Sequence, residues 1–184
     1  MCYLKRKKSK IVLLVLCIFA FTQGCLSSED GGIEVTLKEG SLILPDKTQI
    51  SIGDSFERLE SFTPRYLESI PGNDVYILTN SSSIIIDVDY DNEEISSIDI
   101  HLYSLDDAWT EIEKINVDGV VEVSRGMKQK KLMDILEDIG LSYVLDWSKT
   151  YSTIVVGLRN GYKASFRFLE EISGGLERVQ YWEA

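Results

Sequence analysis

The chain has 184 residues, with 30 acidic against 19 basic side chains, one histidine and three cysteines. Its 44 % hydrophobic content supplies a core for one or two small domains, excludes a disordered chain, and falls short of a protein that crosses a membrane many times. A net charge of −11 excludes a general nucleic-acid binder, which needs a basic face, and the few His and Cys residues leave little for zinc or haem.

The charge is uneven. Lys5, Arg6, Lys7, Lys8 and Lys10 open the chain, and no acid precedes Glu29. The apolar run Ile11–Phe21 follows, then Thr22-Gln23-Gly24-Cys25. A basic segment, a short apolar segment and a small residue before a break mark an export signal. The run is shorter than the roughly 20 apolar residues of a membrane-spanning helix. This stretch resembles a bacterial lipoprotein precursor, whose lipobox ends in a small residue followed by cysteine. Thr22 stands where that box usually carries Leu.

The resemblance implies a signal over residues 1–24, cleavage before Cys25, and lipid on the Cys25 thiol. Residues 25–32 become a lipidated cysteine and flexible tether. Leu26 after the cysteine implies, in a Gram-negative host, an outer-membrane anchor facing the periplasm. Two or three acyl chains hold a protein stably where one does not. Cys2 and Cys17 leave with the signal, so the mature chain has no free thiol. It keeps 14 basic and 30 acidic residues, a net charge of −16.

Beyond the tether, Ile33–Leu37 alternates apolar and polar as a half-buried strand does. Turns at Glu39-Gly40 and Pro45-Asp46 separate it from Ser41–Leu44 and Thr48–Ile52, giving a meander. Gly53 and Asp54 predict a helix with Glu57 completing a capping box, Phe56, Leu59 and Phe62 near one face, and Pro64 as its end. After a loop over residues 65–74, strands are predicted at Val75–Leu78, Ser83–Tyr90 and Ile95–Tyr103, with a hairpin turn over 91–94. Asp106–Lys114 predicts a short helix with Trp109 and Ile112 inward.

The second half opens with Ile115–Val117, a turn at Asp118-Gly119, and Val120–Val123. A helix over residues 127–139 follows, with Leu132, Ile135, Leu136 and Ile139 as its apolar stripe and Gly140 as its C-terminal stop. Strands at Tyr151–Leu158, Tyr162–Leu169 and Leu176–Trp182 finish the chain. Asn160-Gly161 signals a tight hairpin.

Units at 33–104 and 105–184 thus echo each other, Ile95-x-x-Ile98 against Leu176-x-x-Val179. The expected class is α+β: an antiparallel β-sheet with two or three short helices packed on one face. It is either a tandem helix-plus-three-strand repeat or one continuous domain. Gly53-Asp54-Ser55-Phe56 and Gly126-Met127-Lys128, each with strands after it, are similar to the SmpA/BamE type of outer-membrane assembly lipoprotein and to the β-lactamase inhibitor proteins. Residues 33–52 resemble the opening of lipoproteins that act as immunity partners of secreted toxins. All of these imply non-enzymatic binders.

Candidate sites are sparse. Asp87, Asp89 and Asp91 alternate as the oxygen ligands of a calcium loop begin, yet Asn92 and Ile98 stand where that loop needs Gly and Glu. A solvated strand face accounts for these acids, with weak metal binding as the alternative. His101 reads as an exposed strand histidine on the polar side with Asp99 and Tyr103, with no nucleophile motif to serve. Ser81-Ser82-Ser83 reads as a loop. Glu137-Asp138 and Glu170-Glu171 read as exposed acids, and Lys128, Lys130 and Lys131 as a solvated face. Trp147, in an apparent loop at Asp146–Lys149, is the chief candidate for protein binding, with Trp109 and Tyr151 beside it.

The reading is therefore a lipid-anchored envelope protein without catalytic activity or cofactor. Its expected partners are the membrane, through Cys25, and another protein, a basic toxin or an envelope component. It is expected to act as an immunity or inhibitor protein against a secreted toxin. The alternatives are an outer-membrane assembly accessory and a metal-dependent hydrolase built on the acidic strand.

Overall fold

The computed structural model describes residues 32–55, 57–60, 65–66, 74–77, 84–89, 92–103, 109–172 and 174–184. The leader, Cys25, Ser81–Ser83, Asp91, and the side chains of Phe56, Leu59, Phe62 and Glu171 lie outside the described residues. Residues Gly32–Ala184 form one compact unit.

The meander forms as its alternation requires. Strands β1 (Ile33–Lys38), β2 (Ser41–Ile43) and β3 (Gln49–Ser51) pair antiparallel in sequence order. The Glu39-Gly40 turn has φ of 50° and 79°, a left-handed pair that suits a tight hairpin. A second hairpin, β8 (Ile112–Val117) and β9 (Val121–Ser124), turns at Asp118-Gly119 with φ of 51° and 68°. The two hairpins join through β1 and β8, which run parallel, to give a five-stranded sheet in the order β3-β2-β1-β8-β9.

The second sheet has eight strands. These are β4 (Arg65–Tyr66), β5 (Asp74–Ile77), β6 (Ile84–Asp89), β7 (Glu94–His101), β10 (Tyr143–Trp147), β11 (Tyr151–Gly157), β12 (Tyr162–Leu169) and β13 (Gly175–Glu183). Their order is β10-β11-β12-β13-β7-β6-β5-β4, antiparallel throughout. Both sheets contribute to one core: Val35, Leu37, Ile115, Val117 and Val123 from the small sheet, and Ile86, Ile98, Ile100, Phe166 and Val179 from the large one.

The expectation of two or three helices on one face of an antiparallel sheet is overturned. The described chain is mostly strand, and its one helix of more than a turn is α2 (Gln129–Asp138). α1 (Glu57–Glu60) is a single turn, because the residues expected to launch a helix are used by the sheet. Gly53 N donates to Ile95 O at 2.8 Å, and Ile95 N to Asp54 O at 2.9 Å. The Asp54 carboxylate accepts from Ser51 N at 2.9 Å and from Arg58 at 3.1 Å instead of capping a helix.

Of the helix expected over 106–114, residues 112–114 belong to β8. Ile112, Ile115 and Val117 are all fully buried, and as β-branched residues they suit a strand with neighbours on both sides. The small sheet is not purely antiparallel either, since β1 and β8 are parallel.

α2 forms as its stripe predicts at Leu132 and Leu136, both fully buried, and ends at Gly140 (φ 69°), with Leu141 N bonded to Leu136 O at 2.9 Å. Ile139, the last of the stripe, is exposed. The helix packs against β9 and reaches the large sheet where Ser152 Oγ donates to Gln129 Oε1 at 3.3 Å. It therefore fills an open side of the two-sheet core. The large sheet is symmetric in strand order about β13–β7, with β4–β7 on one side and β10–β13 on the other.

Candidate functional site: the aromatic end of the large sheet

Five strand ends of the large sheet meet on one side. β7, β10 and β12 end there, at His101, Trp147 and Leu169, while β11 and β13 begin there, at Tyr151 and Gly175. Tyr103, just past β7, forms an isolated bridge with Trp109 and packs edge-on against its indole, ring centres 5.2 Å apart. The Trp109 ring also lies over Gly126, where an added Cβ would come within 3.4 Å of it.

Trp147, Trp109 and Tyr151 are thus brought to the same end, and they stay 62 %, 42 % and 38 % exposed. Trp147 is not in a loop. It closes β10, opposite Ser152, and the turn of the hairpin follows it, with Ser148 N bonded to Tyr151 O at 2.9 Å. Trp147 and Tyr151 leave the hairpin on opposite faces, as their pairing positions require. Trp109 was expected inward on a helix. It is exposed because its segment bridges to Tyr103.

A ladder of charged groups runs inward from Tyr151. The Arg167 guanidinium lies 5.5 Å from the Tyr151 ring centre and makes two hydrogen bonds of 2.6 Å to Glu177. Arg178 grips Asp99 in the same bidentate way, Nε to Oδ1 at 2.5 Å and Nη2 to Oδ2. Ser97 Oγ donates to Asp87 Oδ2 at 2.6 Å.

His101 is not an exposed strand histidine. His101, Asp99 and Ser97 are all buried on the face of β7 away from Ile98 and Ile100, so β7 is covered on both faces. Burial pushes the Asp99 carboxyl up to about 6 against the opposing pull of Arg178, and pushes His101 down to about 4. His101 Nε2 is 3.8 Å from Asp99 Oδ1, beyond hydrogen-bond reach.

Of the remaining candidates, Glu170 and Lys128 also lie at this end: Glu170 N bonds Thr150 O at 3.2 Å and Lys128 bridges to Gly175. Asp87 is half-buried and held by Ser97, and Asp89 is exposed. No group of three potential metal ligands occurs among the described residues. Asp138, Glu137 and Glu170 are exposed, as are Lys128, Lys130 and Lys131.

Comparison with protein-family models, curated proteins and solved structures finds no match.

Sequence reasoning missed a second feature, at the other end of the core. The turns after β1, β8 and β11 and the end of α2 surround a cleft of about 260 Å³, with Val120, Ile139, Leu141 and Leu158 between Lys38 and Arg159. Asp118 ties these turns together. Its Oδ1 accepts from Glu39 N and Asn160 Nδ2, both at 3.0 Å, and from the Tyr181 hydroxyl at 3.4 Å. The Asp-Gly and Asn-Gly dipeptides gave the turns, but nothing local in the sequence says that the three turns share one carboxylate.

Proposed function

We propose that this chain is a membrane-anchored envelope lipoprotein that works as a non-enzymatic protein-binding module, of the immunity or inhibitor kind directed against a secreted toxin. The observation that carries the binding part is the exposure of Trp147, Trp109 and Tyr151 at one end of a well-packed sheet. Large aromatics give much contact area for little lost conformational entropy, and they dominate the binding energy of many interfaces. Trp147 and Tyr151 on strands and Trp109 on its bridge to Tyr103 are positioned before the partner arrives.

The anchor rests on the lipobox-like Gly24-Cys25 behind its basic and apolar segments. A mature chain of net charge −16 steers a basic partner at long range.

The test is a pull-down with the full-length protein, purified from membranes in detergent and used as bait against envelope and secreted-toxin extracts. A stoichiometric partner is expected, and Trp147→Ala or Trp109→Ala should weaken its binding by about tenfold or more. Recovery of no stoichiometric protein at low salt, or equal capture by both variants, would overturn the reading.

A further inference from the structure

The outermost strand of the large sheet is β10, hydrogen-bonded to β11 alone. Ser148 N bonds Tyr151 O at the mouth of the hairpin, which fixes the alternation behind it. Val144 and Asp146 turn their backbone groups toward Val155 and Thr153, and Tyr143, Leu145 and Trp147 turn theirs out of the sheet. The Trp147 N–H is taken by its neighbour, Asp146 Oδ1, at 2.9 Å. The outward N–H groups of Tyr143 and Leu145 meet no acceptor among the described residues.

Sheet edges are normally blunted by lysine, proline, a bulge or brevity. β3 and β4 are three and two residues long. β10 has five residues, YVLDW, a single charge, no proline, and an unbroken register with β11. Val144 and Trp147 on it are 68 % and 62 % exposed.

We propose that β10 is a docking edge that accepts an extended segment of a basic partner protein as a further strand of the large sheet. The proposal rests on the protein-binding reading above and names its mode. Main-chain hydrogen bonds to Tyr143 and Leu145 give the affinity, and Val144 and Trp147 supply side-chain contact. Charge selects the occupant. Asp146 stands on the strand, and exposed Asp134, Glu137 and Asp138 stand on α2, with Glu137 accepting from the Tyr143 hydroxyl at 3.2 Å. The opposing charges are Lys149 in the turn and exposed Lys130 and Lys131 in the first turn of α2. Two copies, each of net charge −11, repel at long range, which disfavours self-pairing.

The experiment uses the full-length protein in detergent and a blocked peptide of alternating valine and lysine. Amide hydrogen exchange is read at Tyr143 and Leu145. Slowed exchange at both is expected, with no slowing by the same peptide N-methylated at alternate positions. Val144→Lys should weaken peptide binding by about tenfold, because it sets a positive charge against the peptide's lysines.

Unchanged exchange at these amides, or equal slowing by a valine–glutamate peptide, would overturn the proposal. So would concentration-dependent self-association that protects them without peptide. If a partner captured in the pull-down depends on Trp147 or Trp109 while the β10 amides still exchange freely in the complex, the edge fails and the binding reading stands.

Discussion

Arg178 grips the carboxylate of Asp99 from the neighbouring strand, and Asp99 is 2 % exposed. Two further groups share this stretch of sheet: Arg167 with Glu177, and His101, whose Nε2 is buried without a hydrogen-bond partner among the described residues. Burial moves Asp99 and His101 in opposite senses, and their titrations overlap.

Asp99 is pushed up to about 6, so it holds its proton more tightly folded than unfolded. Its contribution to stability is full below about pH 4 and is lost as pH rises through 6. His101 is pushed down to about 4, so its contribution is present above pH 6.5 and is lost as pH falls through 4. Each amounts to about 3 kcal/mol, and the two nearly cancel between pH 4 and 6. Urea unfolding across this range should be nearly flat from these two groups in the wild type. Stability should fall with rising pH in His101→Gln, and rise with pH in Asp99→Asn.

Removing Arg178 leaves a buried carboxylate without its partner. Arg178→Ala should lose about 3 kcal/mol at pH 7.5, since a broken buried pair costs more than the pair contributes. The loss should shrink at pH 5, where Asp99 binds a proton. Denaturant midpoints at the two pH values check this.

Gly40 has φ of 79°, and an added Cβ would lie 2.3 Å from the Tyr162 hydroxyl, whose ring stacks on Tyr181 at 5.3 Å. Gly119 also has positive φ, at 68°, but opens onto free space. Gly119→Ala should cost about 1 kcal/mol, the backbone effect alone. Gly40→Ala should cost roughly 2–3 kcal/mol, because the Tyr162 ring must also move. Thermal unfolding of the two variants separates the contributions.

If Cys25 carries the lipid, Cys25→Ser should move the protein from the membrane fraction to the soluble fraction, with no acyl adduct by mass spectrometry. The wild type should carry two or three acyl chains, the number needed for a stable anchor.

The local signals were legible. Glu39-Gly40, Asp118-Gly119 and Asn160-Gly161 each mark a turn, and Leu132 and Leu136 mark the buried face of α2. The sequence was misleading where tertiary structure overrode a local cue. Asp54 and Glu57 look like a capping box, but Gly53 and Asp54 are held by β7. Ser97, Asp99 and His101 alternate with apolar residues as a solvent face does, and nothing in that pattern shows that this face is covered. The parallel β1–β8 pair was invisible because it is set by long-range packing rather than by either strand's own residues. Of the site, the exposure of Trp147 was legible, whereas Trp109, expected inward on a helix, is exposed. The ion pairs behind Tyr151 depend on residues far apart in sequence, such as Asp99 and Arg178.

The central pair of each sheet joins the two halves of the chain: Leu37 lies beside Val117, and Asp99 beside Gln180. Both contacts span about 80 residues, the kind of separation that slows folding because loop closure comes before any reward. Neither half can complete its own sheet while the other is still being synthesised. If the chain is exported as proposed above, that delay leaves β1 and β7 of the first half without these partners until β8 and β13 have emerged.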